Sequence, residues 1–171
     1  MTSIIKVNEI QDAGGNTILS SNGTGTFTSN LPSAVNTPSF KAYGTTQSIP
    51  NSTTTVLAYT TESWDTNSNY DNSTYRFTPN VAGKYFVYAV RRLESGSSYN
   101  HLELIIRKNG GDFVNVLNSP KYYDSLNVCG LIDMNGTTDY IDFAIFQDSG
   151  GSLNTYSGIT YNQAGAFKII E

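Results

Sequence analysis

Apolar and polar residues alternate along most of the chain beyond residue 37, and clusters of turn-forming residues interrupt the alternation every ten or so positions. Alternation with a period of two predicts β-strands, and Val, Ile, Thr, Tyr and Phe are residues that strands favour. The predicted strands are Pro38–Thr45, Thr54–Ser63, Gly83–Glu94, Asn100–Asn109, Asp112–Ser119, Ser125–Met134, Asp139–Asp148 and Gln163–Ile170. About eight such strands predict an all-β antiparallel sandwich of the jelly-roll type.

One predicted strand, Gly83–Glu94, has no polar face. Its two alternating sets are Tyr85, Val87, Ala89 and Phe86, Tyr88, Val90. A strand with one face on a core and the other in water should alternate apolar with polar residues. Something must therefore cover its second face, and a loop of the same subunit or a neighbouring subunit could do so.

Residues 1–35 differ from the rest of the chain. They contain two short β-like apolar clusters, Ile4–Ile10 and Thr17–Leu19, separated by a Gly-Gly turn and followed by a Gly/Ser/Thr-rich stretch. This is too little apolar surface for an independently stable domain. We expect an N-terminal segment over 1–35 that pairs with copies of itself, docks on another protein or is a flexible leader. The jelly-roll domain would then span 36–171.

Composition narrows the classes of partner. Charged residues make up 14% of the chain, its net charge is −4 and its pI is about 4.9. Nucleic-acid binders need a basic surface, so we expect no nucleic-acid partner. No apolar run approaches the ~18 residues of a membrane span, and the N-terminus lacks the pattern of a signal peptide. The single cysteine, Cys129, excludes a disulfide within the chain.

The stretch Tyr70–Tyr88, YDNSTYRFTPNVAGKYFVY, contains a gapped pattern of aromatic, Thr and Gly residues. Its members are Tyr70, Asp71, Thr74, Phe77, Thr78, Gly83, Tyr85 and Phe86. The pattern resembles the signature of the globular head of complement component 1, subcomponent q, a jelly roll shared with tumour necrosis factor. Phe40–Tyr43, Arg107–Gly110 and Ala164–Ile170 resemble the family's first strand, its Lys-Asn-Gly hairpin and its closing strand, in the family's order.

Three positions depart from the family pattern. Tyr75 stands where the family usually has Gly, Lys84 where it has an apolar residue, and Gly136–Thr137 where it has Gly-Asp. These departures concern local geometry more than the fold.

The resemblance implies a homotrimer whose subunits pack around a threefold axis through one sheet. This would explain the strand without a polar face, because one face would pack into the sandwich and the other against a neighbour. We expect the trimer interface to include Tyr85, Phe86, Tyr88 and Phe143.

The residues that carry most enzyme chemistry are sparse. His101 and Cys129 are single, and Cys129 lies in an apolar run that predicts a buried side chain. A zinc site would lack soft ligands, and nucleophile-elbow and phosphate-loop motifs are missing from the sequence. We therefore expect no enzymatic activity. A polysaccharide depolymerase would need two facing carboxylates at catalytic separation.

One loop offers oxygen ligands. Asp65, Asn67, Asn69 and Asp71 stand at alternate positions, as Ca²⁺ ligands do. The loop fails as an EF-hand because Tyr70 replaces the turn glycine and Arg76 replaces the bidentate Glu. The sequence therefore favours an ordinary polar loop over a cation site, and we expect no metal or cofactor.

Tyrosine and tryptophan in predicted loops indicate a binding surface, because amphipathic rings give contact area at low entropy cost. The expected binding residues are Trp64, Asp65, Asn67, Tyr70, Lys121, Tyr122 and Tyr123. The alternative is that most of the tyrosines fill the core and the subunit contact.

The N-terminal residues Lys6, Val7, Ile10, Gln11, Asp12 and Gly14 resemble the opening of virion proteins, particularly tail-fibre proteins of marine bacteriophages. This resemblance implies synthesis in the host cytoplasm, location on the virion, and an N-terminal segment bound to other virion proteins. The head would be a non-enzymatic trimeric fibre tip, knob or decoration that contacts a glycan or protein of the host surface. The alternative is a secreted cellular ligand-binding or adhesion module of the same superfamily.

Overall fold

Short β-strands follow one another along the chain, as its alternating pattern predicts. A computed structural model describes residues 7–29, 36–94, 99–118 and 125–169. Within these ranges the regular structure is all β, and no described residue lies in a helix. The strands are β1 (Glu9–Gln11), β2 (Thr17–Ser21), β3 (Phe27–Ser29), β4 (Ser39–Tyr43), β5 (Ser48–Ile49), β6 (Thr55–Val56), β7 (Thr61–Asp65), β8 (Tyr70–Asp71), β9 (Arg76–Phe77), β10 (Gly83–Arg92), β11 (Leu102–Lys108), β12 (Gly111–Asn118), β13 (Ser125–Met134), β14 (Ile141–Gln147), β15 (Leu153–Asn154) and β16 (Asn162–Lys168).

The chain divides into two compact units, Met1–Val35 and Asn36–Glu171. We call the second unit the head. In the first unit, β1, β2 and β3 form an antiparallel sheet. The turn between β1 and β2 is held by Asp12, whose carboxylate accepts hydrogen bonds from the backbone N–H groups of Gly14 and Asn16. Hydrogen bonds from Asn16 are the main reason why the pKa of Asp12 is below its ordinary value.

Two antiparallel sheets pack face to face in the head. One has five strands in the order β13-β10-β16-β4-β7, and the other has six in the order β12-β11-β14-β9-β8, with β6 also paired to β14. A small β15-β5 sheet lies beside them. The strand order within each large sheet differs from the chain order, as in Greek-key and jelly-roll folds. All these pairings are antiparallel, and the predicted jelly-roll architecture is confirmed.

The core lies between the two large sheets and is rich in aromatic rings. The ring of Phe40 stacks on Tyr70 at 4.4 Å and on Phe77 at 4.7 Å. Tyr85 meets Phe77 edge-on at 5.9 Å, and its hydroxyl donates a hydrogen bond to the carbonyl of Val81. Burial raises the pKa of Tyr85 to about 12. This cluster explains the spacing of the Tyr70–Tyr88 stretch, because its aromatic members interlock across both sheets.

The predicted strand Thr54–Ser63 is wrong as a single element. It consists of β6 and β7, which belong to different sheets. Leu57 and Tyr59, in the crossing between them, are fully buried. The apolar residues of this run are buried because the segment crosses from one sheet to the other, and not because they form one strand.

Candidate assembly face

The five-stranded sheet has one face turned away from the core, which we call the outer face. Alternation along each strand and the pairing register assign its residues. They are Phe86, Tyr88 and Val90 on β10, Asn127, Cys129 and Leu131 on β13, Gln163, Gly165 and Phe167 on β16, Ser39, Lys41 and Tyr43 on β4, and Trp64 on β7. Thus the strand without a polar face does have two different faces, one in the core and one on this surface.

Aromatic rings form the centre of the outer face. The ring of Phe86 lies 5.4 Å from that of Phe167 and 6.4 Å from that of Tyr88. Tyr88 lies over the neighbouring strand at Gly165, where an added Cβ would be 2.8 Å from the Tyr88 hydroxyl oxygen. Partial burial of Tyr88 raises its pKa. The glycine is thus required for close packing of this ring against the sheet.

The two edges of the outer face are exposed and differ chemically. On β13, Leu131 is 59% exposed, and Cys129 is also exposed. On β7, Trp64 is 50% exposed, and the ammonium of Lys41 lies 5.6 Å from its ring centroid. Large apolar side chains in water are unfavourable, and a continuous patch of them usually marks an interaction surface.

Arg92 extends the outer face at the end of β10. Its guanidinium lies 4.7 Å from the ring of Tyr156 and 4.8 Å from that of Tyr161. The two rings meet edge-on at 5.4 Å. Arg and Tyr are residue types enriched in the energetic centres of protein interfaces.

Two of the four predicted interface residues lie elsewhere. Phe86 and Tyr88 belong to the outer face, half-buried. Tyr85 is fully buried in the core, and Phe143 packs inside the sandwich against Tyr59 at 5.6 Å, with 1% of its surface exposed. Neither can contact another subunit while the sandwich is folded. The prediction that Cys129 is buried is also wrong, because its apolar neighbours point into the core while it points outward.

Those predicted binding residues that the structure describes do not form one cluster. Trp64 is exposed, but it shares the outer face with Tyr88 rather than lying in a loop. Asn67 is exposed in the turn after β7. Tyr70 is a core residue that is 6% exposed, and its hydroxyl donates a hydrogen bond to the carbonyl of Tyr59, so its prediction as a binding residue is wrong. Lys121, Tyr122 and Tyr123 lie outside the described residues.

Several oxygen atoms of the candidate calcium loop accept hydrogen bonds from nearby groups, although Oδ1 of Asp65 is buried without a partner. Asp65 accepts a hydrogen bond from the backbone N–H of Tyr70, and Asn69 accepts one from that of Asn80. Asp71 accepts from Ser73 and Thr74, and these bonds, chiefly those from Ser73, lower its pKa to about 2. In the described parts of the chain no three His, Cys, Asp or Glu side chains group as metal ligands would.

Sequence reasoning did not identify the edges of the outer face. Trp64, Lys41, Gly165, Tyr88 and Cys129 form one row across the sheet, and they come from five separate strands. The alternation along each strand indicates which residues share a face of that strand. The order of the strands in the sheet, which the sequence does not show, places these five residues in one row.

Comparison with known proteins gives a result at the level of structure only. No protein-family model matches the chain, and no curated protein matches it. Among solved structures, the Eiger TNF of S. frugiperda matches with a TM-score of 0.61 at 10% identity, covering 77% of this chain and 91% of its own. Murine APRIL at pH 5.0 matches with a TM-score of 0.61 at 11% identity, covering 77% and 98%.

The globular domain of the zebrafish complement 1qA protein matches with a TM-score of 0.54 at 16% identity, covering 77% of this chain and 97% of that one. None of the helices that a membrane span would require occurs in the part of the chain that the structure describes. The chain therefore has the jelly-roll fold that tumour necrosis factors share with the globular domain of complement 1qA.

Proposed function

We propose that the chain is a non-enzymatic recognition protein whose head works as a homotrimer assembled through the outer face. The observation that carries this proposal is the outer face itself, whose aromatic centre lies between an exposed Leu131 at one edge and an exposed Trp64 at the other. Contact with a neighbouring subunit would remove these side chains from water, and each Å² of apolar surface removed contributes roughly 25 cal/mol. The homotrimer is also what the sequence resemblance implies.

The proposed trimer would act through multivalent binding. Three copies of each loop on one rigid head can bind a repetitive surface with an avidity far above that of a single contact. Asn67 lies in the exposed turn that follows β7, so we keep it as a candidate binding residue, whereas Trp64 belongs to the proposed subunit contact. Lys121, Tyr122 and Tyr123 stay predicted binding residues, because the sequence places aromatic side chains there in a predicted loop.

Assembly is tested by light scattering on the intact chain and two variants. We expect a mass three times 18.6 kDa for the unmodified protein. Leu131→Asp should shift it toward the monomer, since burying a carboxylate in an apolar contact is costly. Leu117→Asp is the matched control, because Leu117 is 63% exposed on β12 of the other sheet. An unmodified monomer, or equal behaviour of the two variants, would overturn the assembly proposal.

The head could belong to a virion protein or to a secreted module, and the location of the protein distinguishes the two. The likeness of the head to tumour necrosis factors and complement supports a ligand-binding or adhesion module in general. The virion setting rests on the sequence of the N-terminal segment, whose exposed Val7, Ile10 and Phe27 offer apolar contacts to another virion protein. Mass spectrometry of purified phage particles from infected cultures tests it. Recovery only from the particle-free supernatant would favour a secreted module.

A further inference from the structure

Arg91 is a charged residue inside the head, near the end of β10. Only 1% of its surface is exposed. Its Nη2 donates hydrogen bonds to the hydroxyl of Thr155 at 2.8 Å and to the carbonyl of Thr45 at 3.2 Å. The guanidinium carbon lies 5.4 Å from the ring centroid of Tyr59. Every one of these contacts is with a neutral group, and none of the described carboxylates forms an ion pair with Arg91.

The charge of Arg91 thus meets a ring and neutral oxygens but no described carboxylate. Burial lowers its pKa, yet a guanidinium stays protonated in proteins because its ordinary pKa lies far above neutral pH. Its Nε and Nη1 are buried and have no hydrogen-bond partner. Buried charges in folded proteins are paired or bound to an ion, since an isolated charge is expensive to remove from water.

Asn162 is a second buried residue whose polar atoms lack hydrogen-bond partners. It lies directly opposite Arg91 in the β10–β16 register, and both side chains point to the core side of the sheet. Cβ atoms of such pairs are about 5 Å apart. Asn162 is fully buried, and neither its amide nitrogen nor its oxygen has a hydrogen-bond partner. Two adjacent strands thus present unpaired polar atoms at one place inside the sandwich, three of them N–H donors and one the amide oxygen of Asn162.

We propose that Arg91 and Asn162 bind one small monovalent anion of chloride size inside the head. A single negative charge matches the single guanidinium, whereas a phosphate or sulfate would add charge and volume. The donor atoms are shielded from solvent, so the ion must shed its water and enter when this end of the sandwich opens. The anion stabilises the fold at the end of β10 by neutralising the buried charge.

The test compares thermal unfolding in chloride and in gluconate, a larger monovalent anion, at constant ionic strength and protein concentration. In chloride at a hundredfold excess over its Kd, we expect a melting temperature about 5–10 °C higher than in gluconate. Arg91→Met, of similar length but uncharged, should abolish the difference, and Asn162→Ala should reduce it. Arg76→Met, a change at an exposed arginine, should leave it intact.

Crystals soaked in bromide give a second readout that does not depend on a variant that folds. We expect one anomalous peak within hydrogen-bonding distance of Arg91 and Asn162. Density there without anomalous signal would mean that ordered water satisfies these groups, which overturns the proposal. Equal melting temperatures in chloride and gluconate, or a chloride effect retained in Arg91→Met, would also overturn it.

Discussion

Replacing Tyr70 by Phe tests which of two roles the residue has. The sequence predicts Tyr70 as a binding residue, but the structure places it in the core. The variant keeps the ring that stacks on Phe40 but removes the hydroxyl that donates to the carbonyl of Tyr59 at 2.8 Å. That carbonyl would be left in the core without this donor. A buried polar group without its partner costs about 1–3 kcal/mol, and we expect a loss of about 2 kcal/mol in the free energy of unfolding.

Equilibrium unfolding in urea measures the loss. With a slope of about 2 kcal/mol per M, Tyr70→Phe should lower the midpoint by roughly 1 M without changing the slope. Tyr161→Phe is the control: Tyr161 is 36% exposed, so its change should stay within about 0.5 kcal/mol. Both variants should bind a ligand of the head as the unmodified protein does. A Tyr70→Phe variant of unchanged stability would refute the structural role, the more so if it bound ligand weakly.

Three further measurements test local features. Gly136→Ala should lower the free energy of unfolding by about 3 kcal/mol or more, because φ is 72° and the new Cβ would lie 2.3 Å from the nitrogen of Ala82. Gly150→Ala, with φ 86° and open space around the new Cβ, should lower it by about 1 kcal/mol. Equal urea midpoints of the two variants would contradict this difference. Hydrogen bonds to Asp71 lower its pKa from 3.8 to about 2, so their stabilisation is present above pH 4 and is lost as the pH falls toward 2. Asp71→Asn should therefore lose less stability between pH 4 and 2 than the unmodified protein, and a parallel loss would refute the assignment. Cys129 should react slowly with a thiol reagent in the assembled protein and faster in Leu131→Asp, and equal rates would place Cys129 outside the contact.

Much of the fold could be predicted because the alternation of side chains between the two faces of a strand is visible in the sequence. The long strands β10, β11, β13, β14 and β16 lie where alternation predicts them, and the Asn-Gly pair at 109–110 forms the hairpin between β11 and β12 with positive φ at both residues. Tyr75 shows what pattern alone could not reveal. It adopts φ 60°, a left-handed conformation that glycine adopts far more readily than tyrosine.

The candidate site was harder to predict because it is composed of residues distant in sequence. Tyr85 and Phe86 are neighbours of similar character, yet one is in the core and the other on the outer face. Composition cannot decide which is which, since both sets on β10 are apolar. Only the contacts of each residue separate the two sets: Tyr85 meets Phe77 in the core, and Phe86 meets Phe167 on the outer face.

The chemical difference between the edges of the outer face bears on the symmetry of the assembly. In a twofold dimer the same patch of both subunits is in contact, and residue i of one copy meets residue j of the other while j meets i. Here an aliphatic edge on β13, at Leu131, lies opposite an aromatic and cationic edge on β7, at Trp64 and Lys41. Joining one edge to the other edge of the next copy pairs aliphatic with aromatic surface and keeps the ammonium of Lys41 on the Trp64 ring. Such head-to-tail contacts must close into a ring or continue as a fibre. The proposed trimer is the closed form of this head-to-tail contact.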